Sequence, residues 1–80
     1  MSSNIEAFVN MFANQFDETD EALFNSQTVF KDFDEWNSLI ALSIIVMVDQ
    51  EYSVKIDGDD IRSSDTIEEL YNNIMKKTNV

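Results

Sequence analysis

Few residues of this chain could take part in chemistry. Cysteine and histidine are both absent from its 80 residues, which removes thiol nucleophiles, histidine bases and metal sites built on Cys or His. The hydroxyl of most interest is Ser38, in Asn37-Ser38-Leu39, directly before a long apolar segment. If a helix begins there, an attached phosphate would be stabilised by unpaired backbone N–H groups and the positive end of the helix dipole. The alternative is that Ser38 only caps the helix, and the tripeptide taken alone favours that alternative.

A calcium loop is the other chemistry that the sequence suggests, at Asp57-Gly58-Asp59-Asp60. With Gly58 at the sixth position of such a loop, positions one, three and twelve would be Ser53, Lys55 and Ser64. None of these is a carboxylate, so the EF-hand pattern fails and we expect no metal site.

Charge excludes two classes of partner. Sixteen Asp and Glu residues stand against five Lys and Arg, a formal net charge of −11. Such a chain repels phosphate backbones and anionic lipid surfaces, so we expect no nucleic-acid binding and no membrane insertion. The longest apolar run, 39–48, is interrupted by Ser43 and is too short to span a bilayer. Like charge also favours a monomer.

The length of the chain and its N-terminal residues indicate the number of domains, the absence of enzymatic activity and the expected location. Eighty residues predict one domain, 1–80, with too small a core to enclose an active-site cleft. No nucleophile–base pair can be assembled from the composition, so we expect no enzymatic activity. The N-terminus carries no leader pattern, and we expect a cytoplasmic protein.

The first and last helices show clear periodicity. Residues 4–16 place apolar side chains three and four positions apart, and Ser3 with Glu6 would form a capping box. In the last helix Thr66 is the expected cap, with Glu69 three residues later. The expected buried stripes are Ile5, Phe8, Val9, Phe12 and Phe16 in the first helix, and Ile67, Leu70, Tyr71 and Ile74 in the last.

The segments between the helices are expected to be ordered. Residues 17–36 have no sustained period, but a connection of roughly twenty residues in so small a domain should pack into the core. Its expected anchors are Val29, Phe30 and Phe33. Residues 59–62 can form a short helix III that holds Ile61 against the core, after a linker in which Val54 and Ile56 point inwards. With no proline and one glycine, the chain is predicted to be all-α: three main helices, one short helix and a long loop between helices I and II.

The second helix, 37–52, is apolar nearly all round. A surface helix in a small bundle buries only part of its circumference. We expect Leu42, Ile44, Ile45, Val48 and Tyr52 to point inwards and Ile40, Val46 and Met47 to be exposed. The exposed residues are then either covered by the long loop or form a docking stripe for a partner.

Taken together, these elements resemble the acyl carrier protein family. The resemblance covers almost the whole chain: its size, acidity, element order and the motif Glu35-Trp36-Asn37-Ser38-Leu39 before an apolar helix ending Asp49-Gln50-Glu51-Tyr52. It implies an acyl-carrier-like four-helix bundle. It also implies that a phosphopantetheinyl transferase attaches 4'-phosphopantetheine from coenzyme A to Ser38, flanked by Asn37 and Leu39. The implied partners are that transferase, an acyl- or aminoacyl-charging ligase, and downstream synthase or transferase enzymes.

The chain departs from the family pattern at two places. Asn37 stands where the family commonly has Asp, and the outer-face positions of helix II read Ile40 and Ser43 in place of carboxylates. We therefore expect partners that are less basic and more apolar than usual. The expected docking residues are Ile40, Val46, Met47, Glu35 and Asp49. The alternative function is an interaction domain of the same fold that binds a partner through helix II and is never modified.

Overall fold

The structure, a computed structural model, describes residues 4–78. Four α-helices and two single 3-10 turns follow one another, and no strand occurs within that range. The helices are α1 (Asn4–Ala13), α2 (Ser38–Tyr52), α3 (Gly58–Arg62) and α4 (Ile67–Thr78). They form a small helical bundle around one apolar core. The all-α prediction, with three main helices, one short helix and a long first connection, is confirmed.

Helix α1 ends three residues earlier than predicted. After Ala13 the backbone tightens, because the N–H groups of Gln15 and Phe16 donate to carbonyls only three residues back, at 3.1 and 3.0 Å. Phe16 nevertheless reaches the core, together with the fully buried Phe12. The expected cap Ser3 lies outside the described residues.

Aromatic side chains hold the long connection against the core. Its two 3-10 turns are Glu21–Leu23 and Phe30–Asp32. The Phe30 ring is fully buried, and its centroid lies 5.1 Å from that of Phe12 on α1. The ordered loop that the sequence predicts, with Phe30 as an anchor, is confirmed.

One of the predicted loop anchors is wrong. Val29, which directly precedes the second 3-10 turn, is exposed. Phe24 is the buried side chain that was not predicted, and its ring lies 4.9 Å from both Phe16 and Phe33. Phe33 is half-buried against the core, as an anchor should be.

The long connection also provides hydrogen-bond acceptors for the first turn of α4. The backbone N–H of Ile67 donates to the carbonyl of Thr28 at 3.2 Å, and that of Glu68 to the carbonyl of Ser26 at 2.9 Å. The first N–H groups of a helix have no partner within the helix itself. Loop carbonyls therefore satisfy two donors that would otherwise be left to water.

The predicted cap Thr66 satisfies a third donor of α4, but the predicted capping box is not reciprocal, because the Glu69 carboxylate accepts from Asp65 and not from the N–H of Thr66. The Thr66 hydroxyl accepts from the N–H of Glu69 at 3.2 Å, and the Glu69 carboxylate accepts from the N–H of Asp65 at 2.9 Å. The buried stripe is also confirmed, with Tyr71 half-buried beside three fully buried residues: Ile67, Leu70 and Ile74.

The acidic segment before α3 is a helix cap. The Asp57 carboxylate accepts from the N–H groups of Asp59 and Asp60, at 3.0 and 3.1 Å, and Asp60 accepts from the N–H of Asp57 at 3.0 Å. This reciprocal arrangement is a capping box, so these carboxylates have a structural use. The helix it starts buries Ile61, as expected.

Candidate functional site

The start of α2 is set by Asn37. Its backbone is extended, its side-chain oxygen accepts from the N–H of Ile40 at 3.0 Å, and its carbonyl accepts from the N–H of Ala41 at 3.0 Å. This is the geometry of an N-cap. Asn37 is therefore the cap, and Ser38 is the first residue of the helix.

Ser38 lies at the surface and is not used as a cap. Its side chain is exposed, and within residues 4–78 its hydroxyl makes no hydrogen bond. Because Asn37 already satisfies the N–H of Ile40, the hydroxyl is left at the positive end of the helix dipole. Leu39 follows with 74% of its surface exposed. The arrangement leaves an accessible oxygen where added negative charge is favoured.

A shallow pocket of about 320 Å³ adjoins Ser38 on the side of α3. Lys31 spans it from the long connection, with its ammonium donating to the carbonyls of Arg62 at 2.9 Å and Ile61 at 3.4 Å. Arg62, which also lines the pocket, forms an ion pair with Asp59. The other lining residues are Trp36, Asn37, Ala41, Gly58 and Ile61.

The two cations of this pocket were not predicted. The sequence placed only carboxylates near Ser38, yet two of the chain's five Lys and Arg residues line its pocket. Lys and Arg are rare in this acidic chain, so the position of each one is informative. Their rarity is the feature of the sequence that could have indicated these two residues. The lining of this pocket therefore contains two cations and no carboxylate, with Arg62 paired to Asp59.

Glu35, an expected docking residue, forms hydrogen bonds within the chain. Its carboxylate accepts from the backbone N–H groups of Asp17, Glu18 and Thr19, at 2.7, 3.0 and 2.9 Å, and from the Thr19 hydroxyl at 2.8 Å. Partial desolvation acts to raise the pKa of Glu35, but these hydrogen bonds to the ionised form outweigh it, and the pKa lies below its usual value. Glu35 thereby closes the turn that follows α1.

Asp49 lies at the other end of α2. It is exposed, and its carboxylate is 3.7 Å from the ammonium of Lys55. Eleven residues separate it from Ser38, which is about 16 Å along a helix. Asp49 and Ser38 therefore belong to different parts of the surface.

The predicted orientation of α2 is wrong at several positions. Ile40 and Met47, expected at the surface, are buried together with Ile44 and Val48. Leu42, expected in the core, is 56% exposed. The physical reason is that apolar residues occupy nearly every position, so their spacing does not distinguish the faces of this helix.

The polar residues of α2 could have identified the exposed face of this helix from the sequence. Ser43 and Gln50 are seven positions apart and therefore share a face. Both are exposed, and so is Val46 between them, as predicted, at 47%. Leu39 and Leu42 extend this exposed face towards Ser38.

A surface groove of about 550 Å³ lies between α1 and α2. We call it the α1–α2 groove. Three of its residues, which sequence reasoning did not connect with α2, come from the end of α1 and the turn directly after it: Met11, Asn14 and Gln15. Those from α2 are Leu39, Leu42, Ser43, Val46, Met47, Gln50 and Glu51.

Within residues 4–78, no group of three or more acidic side chains lies close enough together to hold a metal ion. In the same part of the chain, no helix has the length and apolarity needed to cross a membrane. No protein-family model, curated protein or solved structure matches the chain.

Proposed function

We propose that this chain is an acyl carrier protein with an acyl-carrier-like bundle and Ser38 as the attachment residue for 4'-phosphopantetheine. Loaded with an acyl or aminoacyl group, it would deliver that group to partner enzymes and catalyse nothing itself. The observation that carries this proposal is the exposed Ser38 hydroxyl, which is free because Asn37 caps the helix. The element order, with a long ordered loop before α2, supports it.

The residues around Ser38 fit the group that would be attached. A phosphopantetheinyl transferase would join the Ser38 oxygen to the pantetheine-side phosphorus of coenzyme A; adenosine 3',5'-bisphosphate leaves, and the hydroxyl loses its proton. The product keeps a negative charge at the start of α2, where the helix dipole stabilises it. When bound, the arm supplies the thiol that this chain lacks and that holds the cargo as a thioester.

Mass spectrometry tests the proposal directly. The purified protein is incubated with coenzyme A and a promiscuous phosphopantetheinyl transferase, and the intact mass is measured. We expect one added phosphopantetheine group in the wild-type chain and in Ser43→Ala, a control at another exposed serine of α2, and none in Ser38→Ala. Absence of any addition, with this transferase and with that of the source organism, would contradict the proposal.

A second candidate is favoured by the exposed apolar face of α2 and by Asn37 in place of an acidic residue. It is an interaction domain that binds a partner through α2 without modification. Here Ser38→Ala would leave partner binding unchanged, and no transferase would add an arm. A carrier whose partners require the arm would instead lose delivery of its cargo in Ser38→Ala.

A further inference from the structure

Lys31 is a cation without a counter-ion. The chain contains sixteen Asp and Glu residues and five Lys and Arg, so carboxylates far outnumber the cations that could pair with them. Three of the other four cations, Lys55, Arg62 and Lys77, each form an ion pair with an aspartate. Within residues 4–78 Lys31 forms none, although it is half-buried and its charge is less hydrated than at the surface. Its position therefore favours a bound anion.

Uncharged groups hold the ammonium of Lys31 in place. It donates to the carbonyls of Arg62 at 2.9 Å and Ile61 at 3.4 Å, and it lies 5.7 Å from the centroid of the Phe30 ring. An ammonium has three N–H donors, so one donor remains after these two hydrogen bonds. Lys31 can therefore bind an anion in the pocket beside Ser38 without losing its contacts with α3.

Arg62 contributes a second cation to the same pocket. One terminal nitrogen of its guanidinium is engaged in the ion pair with Asp59. The other terminal nitrogen would lie only 3.2 Å from a Cβ at Gly58, so the glycine leaves this side of the pocket open to the guanidinium. A guanidinium has five N–H donors in a planar fork, which suits the oxygens of a phosphate group.

No carboxylate lines the pocket beside Ser38. Of the three carboxylates in the α3 segment, Asp59 pairs with Arg62, and Asp57 and Asp60 form the capping box. An anion in the pocket therefore meets one cation from the long connection and one from α3, and no lining carboxylate.

We infer that Lys31 and Arg62 bind the phosphate group of an ester formed on Ser38. The inference rests on the proposed function, which supplies that phosphate as the phosphodiester of the 4'-phosphopantetheine arm. A charged phosphate oxygen is a stronger acceptor than a backbone carbonyl, so the remaining donor of Lys31 binds it firmly. The phosphate is then held between the long connection and α3, and this fixes the base of the arm.

A phosphate placed on residue 38 without any transferase tests the two cations. Phosphoserine is incorporated in place of Ser38 during translation, and its phosphate is titrated by phosphorus NMR. The second pKa of phosphoserine is ordinarily about 6, and a neighbouring cation lowers it because the cation favours the dianion. Lys31→Met and Arg62→Met should each raise this pKa by about half a unit, the effect of losing one surface ion pair.

Two further variants are the controls. Lys31→Arg keeps the charge and the donors, so it should leave the pKa of the phosphate nearly unchanged. Lys55→Met removes the same charge as Lys31→Met, but from an exposed lysine paired with Asp49 at the far end of α2. It should raise the pKa much less, because charges more than about 10 Å apart are largely screened at about 0.1 M salt. Circular dichroism establishes that each variant remains folded.

Equal pKa values of the phosphate in Lys31→Met and Lys55→Met would overturn the inference, whether or not a transferase adds the arm. If the pKa depends on Lys31 but no transferase modifies Ser38, the phosphate site stands and the carrier proposal alone fails. The source of the phosphate is then a kinase that forms a monoester on the same oxygen. If the arm is added but the pKa does not depend on Lys31 or Arg62, this inference alone fails.

Discussion

Glu35 and Thr19 are joined twice, because one carboxylate oxygen of Glu35 accepts both the hydroxyl and the N–H of Thr19, at 2.8 and 2.9 Å. The pKa of Glu35 is lowered in the folded protein. Its stabilising contribution is therefore fully present above the unfolded pKa of about 4.3 and is lost as the pH falls through the lower folded pKa. Glu35→Gln should lower the melting temperature at pH 7, and its difference from wild type should shrink below about pH 4.

The matched control for this prediction is Glu18→Gln. It removes one charge from the same turn, but the Glu18 carboxylate accepts no hydrogen bond within residues 4–78. Because Glu18→Gln removes only like-charge repulsion, its melting temperature should not fall below that of wild type anywhere from pH 3 to 7, about the range of carboxyl titration. If the melting temperatures of the two variants changed with pH in the same way, general charge repulsion, and not the Glu35 hydrogen bonds, would determine the pH dependence.

Asn37 should contribute to stability through its cap. Asn37→Ala removes the acceptor for the N–H of Ile40 and should cost about 1 kcal/mol in the free energy of unfolding, measured with urea. Asn37→Asp keeps an acceptor and adds a favourable charge at the helix start, so it should be at least as stable as wild type. Equal losses of unfolding free energy in both variants would show that the N-cap hydrogen bond is not the source of the stability that Asn37 contributes.

The long connection should be held mainly by Phe30. This ring is fully buried and contacts Phe12 and Trp36, with centroids 5.1 and 5.0 Å away. Phe30→Ala should cost about 3–5 kcal/mol in unfolding free energy. The neighbouring exposed Val29 is the control, and Val29→Ala should change it by no more than about 0.5 kcal/mol. A small loss in Phe30→Ala would mean that the core does not depend on the connection.

Ser53 ends α2 with left-handed backbone angles, φ 57° and ψ 35°, and its N–H donates to the carbonyl of Asp49 at 3.0 Å. A side chain raises the energy of this conformation by about 1–2 kcal/mol, which glycine avoids at an entropic cost of about 0.5–1 kcal/mol. Ser53→Gly should therefore stabilise the protein by about 0.5 kcal/mol, and Ser53→Ala should not. Urea unfolding of the two variants measures this difference, and a destabilised Ser53→Gly would contradict it.

Net charge should make the stability depend on salt. With −11 charges on 80 residues, added NaCl or a divalent cation should reduce repulsion and raise the melting temperature. About 1 kcal/mol of relieved repulsion corresponds to roughly 4–8 °C for a domain of this size. The double variant Glu18→Gln with Glu21→Gln carries less charge and should show a smaller rise. A fall with salt would count against repulsion as the cause.

The stripes of α1 and α4 could be predicted because polar residues fill the rest of each helix, so the spacing of apolar residues identifies one face. Helix α2 offers no such contrast, and its predicted orientation failed at Ile40, Leu42 and Met47. The start of α2 could still be predicted to within one residue, since Asn37 and Ser38 are both common caps, and the structure assigns the cap to Asn37.

Non-local contacts account for the other failures. Glu35 binds backbone groups sixteen to eighteen positions earlier, and Lys31 reaches carbonyls of α3 about thirty positions later. Neither contact follows from local propensity or periodicity, because both depend on the path of the long connection.

The carbonyls of Ser26 and Thr28, which complete the first turn of α4, link regions about forty residues apart. Such distant pairing raises the contact order above that of a bundle with short connections, so this chain should fold more slowly than its helix content suggests. It also makes the two halves one cooperative unit. The amide protons of Ile67 and Glu68 should accordingly exchange with solvent only when the whole chain opens, and not by fraying of α4.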